Sequence, residues 1–147
     1  FAAIGQGTFP MAGPEQAALA KLAGNFMIAG TLELLSEALA FGEKGGIDPE
    51  QLLGLLTGTV FGSPIVNRYG GMIARTEFEP AGFALRLGLK DVNLVLAASE
   101  QLGLPMPAAG VVREHMAQAM AQGRGDIDIA GVATVVREAA GLGAVRR

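Results

Sequence analysis

Apolar positions recur at helical spacing along six stretches of the chain, and glycine and proline punctuate the gaps between them. The longest stretch runs from Pro14 to Lys44: Pro14 and Glu15 suit a first turn, Lys44 a last turn, and Gly45-Gly46 a stop. Between Leu22 and Leu32 it is apolar or small on every side, which predicts a central helix buried all round by the others. Gly24 and Gly30 each cost about 1 kcal/mol relative to alanine inside a helix, so close approach by another helix or a ligand is expected there. Asp48-Pro49-Glu50-Gln51 reads as a cap, a helical proline and a capping-box-like glutamine, opening a helix to about Thr57. Ser63-Pro64 repeats the device for a helix to about Arg75. Further helices are predicted from Gly82 to Leu102, from Ala108 to Gln122 after the stiff Leu104-Pro105-Met106-Pro107 break, and from a cap at Asp128 to about Ala140. The fold class is therefore all-α, about six helices around one long buried one.

Residues 1–13 do not fit that pattern. Short apolar pieces between Gly5, Gly7, Pro10 and Gly13 predict turns and at most one strand, so they are read as a linker or the tail of a preceding domain. The helical domain is taken as 14–147. The chain starts at Phe1 without methionine or a signal-peptide pattern, as expected of a piece cut from a longer protein.

Composition narrows the function classes. Aromatics are only 5% of 147 residues and tryptophan is absent, which favours packed helices over a sandwich or barrel. With no cysteine, disulfides, thiolate metal sites and cysteine nucleophiles are closed off, and a cytoplasmic location is the expectation. A net charge of -3 with scattered basic residues gives no footprint for nucleic acid. The longest uncharged stretch, Gln51 to Asn67, is broken by three glycines and a proline, so no membrane span is expected.

Few residues are left to carry chemistry. Lys21 and Asn25, four apart, share one helix face that continues through Ile28 and Leu32. Lys90-Asp91 is a second charged pair set among leucines and valine. Each has a plain alternative, a snorkelling lysine or a solvated helix edge. His115 is the only histidine and lacks a second histidine or a cysteine, so no metal site is expected, and no serine stands in a nucleophile-elbow context. Gly5-Gln6-Gly7 fails as a dinucleotide fingerprint because Pro10 occupies the place of the third glycine. Glu33 and Glu37 lack the following histidine of a di-iron motif and are read as a solvated or interhelical edge.

Taken in order, Lys21-Leu22-Ala23-Gly24-Asn25-Phe26, Gly46-Ile47-Asp48, Phe83, Leu89-Lys90-Asp91-Val92, Pro105-Met106-Pro107, Gly123-Arg124-Gly125-Asp126-Ile127-Asp128 and Ala140-Gly141-Leu142 resemble the β-hydroxyacid dehydrogenase family. The resemblance covers roughly residues 13–142 and includes 3-hydroxyisobutyrate dehydrogenases and glyoxylate or succinic semialdehyde reductases. It implies the helical C-terminal domain, 6-phosphogluconate dehydrogenase C-terminal-like, of an NAD(P)-dependent enzyme that moves hydride between nicotinamide and a small hydroxyacid or aldehyde. NADP or NAD would be held mainly by a preceding Rossmann domain, with Phe9 to Met11 resembling that domain's last strand. The same resemblance assigns Lys21 as general acid/base, Asn25 as a substrate-orienting amide, Phe83 and Asp91 as cleft residues and Lys90 as a cofactor contact. It also implies a homodimer. Two other readings accompany it: an imine reductase-like domain, whose members usually replace the lysine by Asp or Tyr, and a non-catalytic helical dimerisation module.

Overall fold

Local caps start the helices where the sequence places them. In the computed structural model, which describes residues 7–143, α1 spans Pro14–Lys44, α2 Pro49–Thr57, α3 Pro64–Arg75, α4 Leu85–Gln101, α5 Pro107–Ala121 and α6 Ala133–Ala139, with a 3₁₀ turn at Ile129–Val132. Asp48 accepts the Gln51 N–H at 2.9 Å and Ser63 the Val66 N–H at 3.2 Å. Each satisfies a first-turn donor that would otherwise be orphaned. The all-α expectation holds: no strand occurs among the described residues, only an isolated antiparallel bridge between Ala84 and Asp128.

The core lies along the second half of α1. Leu32, Leu35 and Leu39 pack with Ile73 of α3, Leu85 and Val92 of α4, Val112 and Met116 of α5, Val132 of the 3₁₀ turn and Val135 of α6. Every other helix touches α1. This helix is also long and apolar enough, by length and composition, to cross a membrane. Its second half spends that apolarity on the core.

Three expectations are corrected. First, α1 is not buried all round: Ala23, Gly24 and Met27 are exposed, Met27 by 64%, and side chains between 14 and 27 face outward or half outward. The helix extends past the bundle, so its first turns have nothing to pack against among the described residues. Second, Gly24 and Gly30 are not where the helices of this chain approach one another, because among the described residues nothing lies within 4 Å of where a Cβ would sit. The close approach falls at Gly88, where a methyl group would meet Ile129 Cδ1 at 2.5 Å. Third, α4 begins at Leu85 instead of Gly82, and the segment after Asp128 opens as a 3₁₀ turn.

One residue explains the third difference. Asp128 is fully buried, and its Oδ2 accepts the N–H groups of Gly82 and Phe83 at 2.9 and 3.2 Å while Oδ1 accepts that of Ala130 at 3.1 Å. Around it, Leu85 N–H donates to Ile127 O and Ile129 N–H to Phe83 O. The loop before α4 is thus tied to the 3₁₀ turn 45 residues later and cannot wind into helix. Residues 7–13 form no strand, and Arg146-Arg147 and residues 1–6 lie outside the described residues.

Candidate active site

Lys21, Asn25, Ile28 and Ala29 fall on one face of α1, as their spacing requires. That face forms one wall of a cleft of about 410 Å³. Gly88 and Asp91 of α4, Phe83 with Gly82 from the tied loop, and Ile129 of the 3₁₀ turn form the facing side. Arg68 and Tyr69 of α3 complete it. The volume is that of a small-ligand site.

The polar groups converge on Asp91. Its Oδ2 accepts a hydrogen bond from Asn25 Nδ2 at 2.7 Å, and its Oδ1 lies 3.8 Å from Lys21 Nζ. Asp91 is 15% exposed and Lys21 is 65% exposed. A lysine that open gains little stability from its ion pair. Its ammonium stays accessible to a ligand, while Asp91 restrains where it points. Ile28, Ala29 and Ile129 supply apolar wall beside this triad.

Of the five site residues expected from the sequence, Lys21, Asn25, Phe83 and Asp91 meet in this cleft, and Lys90 does not. Lys90, the residue before Asp91 on α4, is exposed and lines no part of the cleft. Adjacent helical residues point about 100° apart, and with Asp91 turned into the cleft Lys90 is turned away from it. The sequence reading missed Arg68, Tyr69 and Ile129. Arg68-Tyr69 sits on a helix with no distinctive motif, and only the packing of α3 against α1 turns it towards Lys21.

A second polar pair lies farther along α1. Glu33 Oε1 meets His115 Nδ1 of α5 at 2.7 Å, with side chains 7% and 28% exposed. Burial pushes the Glu33 carboxyl above its ordinary range, and the histidine offsets only part of that. Its other oxygen, Oε2, is buried without a hydrogen-bond partner. Glu33 is therefore the interhelical edge anticipated, whereas Glu37 is solvated. No group of three metal-ligating side chains forms among the described residues.

Comparison with known proteins agrees with this architecture. A family model described as "NAD-binding of NADP-dependent 3-hydroxyisobutyrate dehydrogenase" matches residues 16–136. The chain is 38% identical over 118 residues to an uncharacterized oxidoreductase, YfjR, of Bacillus subtilis, covering 80% of this chain and 41% of that protein. It is 30% identical over 128 residues to 2-hydroxy-3-oxopropionate reductase of Escherichia coli, covering 87% and 44%. Among solved structures, 3-hydroxyisobutyrate dehydrogenase of Mycobacterium tuberculosis with L-serine superposes with a TM-score of 0.70 at 25% identity, over 80% of this chain and 42% of that one. The chain thus spans less than half the length of these relatives. With the matched family model covering most of its helical residues, the chain belongs to the 3-hydroxyisobutyrate dehydrogenase-like, β-hydroxyacid dehydrogenase family of NAD(P)-linked oxidoreductases.

Proposed function

We propose that this chain is the helical, substrate-binding domain of a two-domain NAD(P)-dependent dehydrogenase that interconverts a small hydroxyacid and its aldehyde or ketone. The observation that carries the reading is the convergence of Lys21, Asn25 and Asp91 at an open cleft with apolar walls. The residues fit the nicotinamide end of a dinucleotide: Ile28, Ala29 and Ile129 offer apolar surface to a flat ring, and an ammonium and an amide stand beside it. About 410 Å³ does not enclose a whole dinucleotide, so the rest of the cofactor needs a separate domain. When bound, the nicotinamide supplies or takes the hydride, which no side chain here can do.

Lys21 performs the proton chemistry. In reduction its ammonium donates to the carbonyl oxygen as negative charge develops there, and in oxidation the neutral amine accepts the hydroxyl proton. Asp91 is a positioning residue, holding the ammonium at one oxygen and the Asn25 amide at the other. Asn25 orients the substrate, and Phe83, fixed through Asp128, closes the apolar side. Lys90 is assigned a contact with the part of the cofactor that lies outside the cleft. The exposed apolar side chains Met27 and Leu34, on the groove between α1 and α5, are assigned to a homodimer interface.

Lys21→Met in the full-length enzyme tests the core of this reading, since it keeps the apolar stem and removes the charge. The turnover number should fall about 100-fold or more, with alcohol oxidation losing its rise with pH. A variant with near wild-type turnover and an unchanged pH profile would return Lys21 to a snorkelling surface lysine.

A further inference from the structure

The cleft holds a second cation that the proton chemistry does not use. Arg68 of α3 lines it beside Lys21 and is exposed, yet among the described residues it forms no ion pair. Arg75, Arg86, Arg124 and Arg137 each have a carboxylate partner. Arg113, also without one, is exposed on α5 and lines neither this cleft nor the α1–α5 groove.

Arg68 is nonetheless held in place. Its guanidinium lies 5.5 Å from the centroid of the Tyr69 ring, within cation–π range. On another side, Nη2 sits 2.7 Å from where a Cβ at Gly82 would be, so the missing side chain at 82 leaves the room the guanidinium occupies. Asp128 Oδ2 is 3.5 Å from the same point, but that carboxylate is already engaged by three backbone N–H groups and makes no ion pair with Arg68. The buried charge attracts the guanidinium towards the cleft floor without consuming its donors. Lys21, by contrast, already has Asp91. Asp91 is thus taken up by Lys21 and Asn25, and Asp128 by backbone N–H groups, so the Arg68 guanidinium is the cleft-lining cation whose N–H donors have no carboxylate partner among the described residues.

We propose that Arg68 is the specificity-determining residue for the acidic group of the substrate, gripping a carboxylate with its planar fork while Lys21 serves the reacting oxygen. The proposal rests on the dehydrogenase reading above and adds to it the source of acid selectivity: this domain, through α3. An arginine suits the task because two parallel N–H groups match the two oxygens of a carboxylate. The cleft of about 410 Å³ that both cations line has room for a short carbon chain.

The test compares two aldehydes that differ only at the acidic end, 2-hydroxy-3-oxopropionate and glyceraldehyde, in the full-length enzyme and in Arg68→Gln and Arg68→Lys. Arg68→Gln should lower the ratio of kcat/KM for the acid over that for glyceraldehyde by about 10-fold to 100-fold, the range for a charge-assisted hydrogen-bonded pair. Arg68→Lys should recover part of the loss, because it keeps the charge and loses the fork. Glycerate titrated into the protein with NADP⁺ present gives a readout independent of turnover, and its Kd should rise by a similar factor in Arg68→Gln. NADPH affinity, followed by fluorescence, should move less than about twofold by the same reasoning.

An unchanged acid preference with unchanged glycerate affinity overturns the proposal. So does a loss of NADPH affinity in place of glycerate affinity, which would give Arg68 to a cofactor phosphate, and so does a wild type that binds no glycerate. If the wild type reduces neither aldehyde but Arg68→Gln weakens glycerate binding, the carboxylate clamp stands and the dehydrogenase reading falls. If the wild type is active and Arg68→Gln behaves like it, the dehydrogenase reading stands alone.

Discussion

Two polar pairs on α1, eight residues apart, show how surroundings divide one helix into a site and a scaffold. Asn25 and Lys21 meet Asp91 at a cleft mouth where Lys21 is 65% exposed. Glu33 meets His115 where the carboxylate is 7% exposed and one of its oxygens has no partner. At about 1.5 Å per residue the pairs are only about 12 Å apart. The difference is what covers them: α1 projects past the bundle at Lys21, whereas α5 lies over it at Glu33. An open pair can exchange a partner for a ligand and adds little stability. A closed pair cannot exchange, and breaking it strands a buried charge.

Substitutions at the two pairs should therefore separate activity from stability. The largest effect is expected at the closed pair: His115→Leu removes the partner of Glu33 and should cost about 3 kcal/mol in denaturant unfolding at pH 7. That cost should shrink in acid, where Glu33 takes up a proton. Lys21→Met should leave the unfolding midpoint nearly in place, and equal destabilisation by the two changes would erase the contrast.

At the open pair, Asp91→Asn keeps the shape and removes the charge that restrains Lys21. With the whole enzyme, kcat/KM should drop about 10-fold, the equivalent of about 1.4 kcal/mol, while unfolding changes by less than about 0.5 kcal/mol. A stability loss larger than the catalytic one would make Asp91 a structural residue.

The glycines of α1 sharpen the comparison from another side. With open space where their side chains would stand, Gly24→Ala and Gly30→Ala should each stabilise a lone chain by about 1 kcal/mol through helix propensity. If the exposed face is the dimer interface, the same changes should weaken self-association in sedimentation equilibrium. Stabilisation with unchanged association would remove α1 from the interface.

The smallest effect concerns pH. Because burial raises the Glu33 pKa above 4.5, its contribution to stability is present at acid pH and is lost as pH rises through the raised value. The melting temperature should accordingly decline on passing upward from the ordinary carboxylate range, and Glu33→Gln should flatten that decline. A Glu33→Gln profile with the wild-type slope would show that other groups set it.

The sequence determined the limits of α1, α2 and α3 and half of the candidate site by interactions that close within a turn or two. Pro14, Asp48 and Ser63 start helices through bonds and φ restraints spanning three residues, and those limits match the structure. Lys21 and Asn25 share a face because four residues make about one turn. What needed tertiary structure depends on partners 40 or more residues away. The Asp128 carboxylate holds Gly82 and Phe83 in a loop where the local pattern predicted helix, since backbone N–H groups take a buried acceptor over a continued helix. The packing of α3 brings Arg68 to the cleft, and the rotation of α4 admits Asp91 while leaving Lys90 outside. Burial of α1 is likewise a property of its neighbours. Apolar residues show that a helix can be covered, and only the arrangement of the other helices decides which half is.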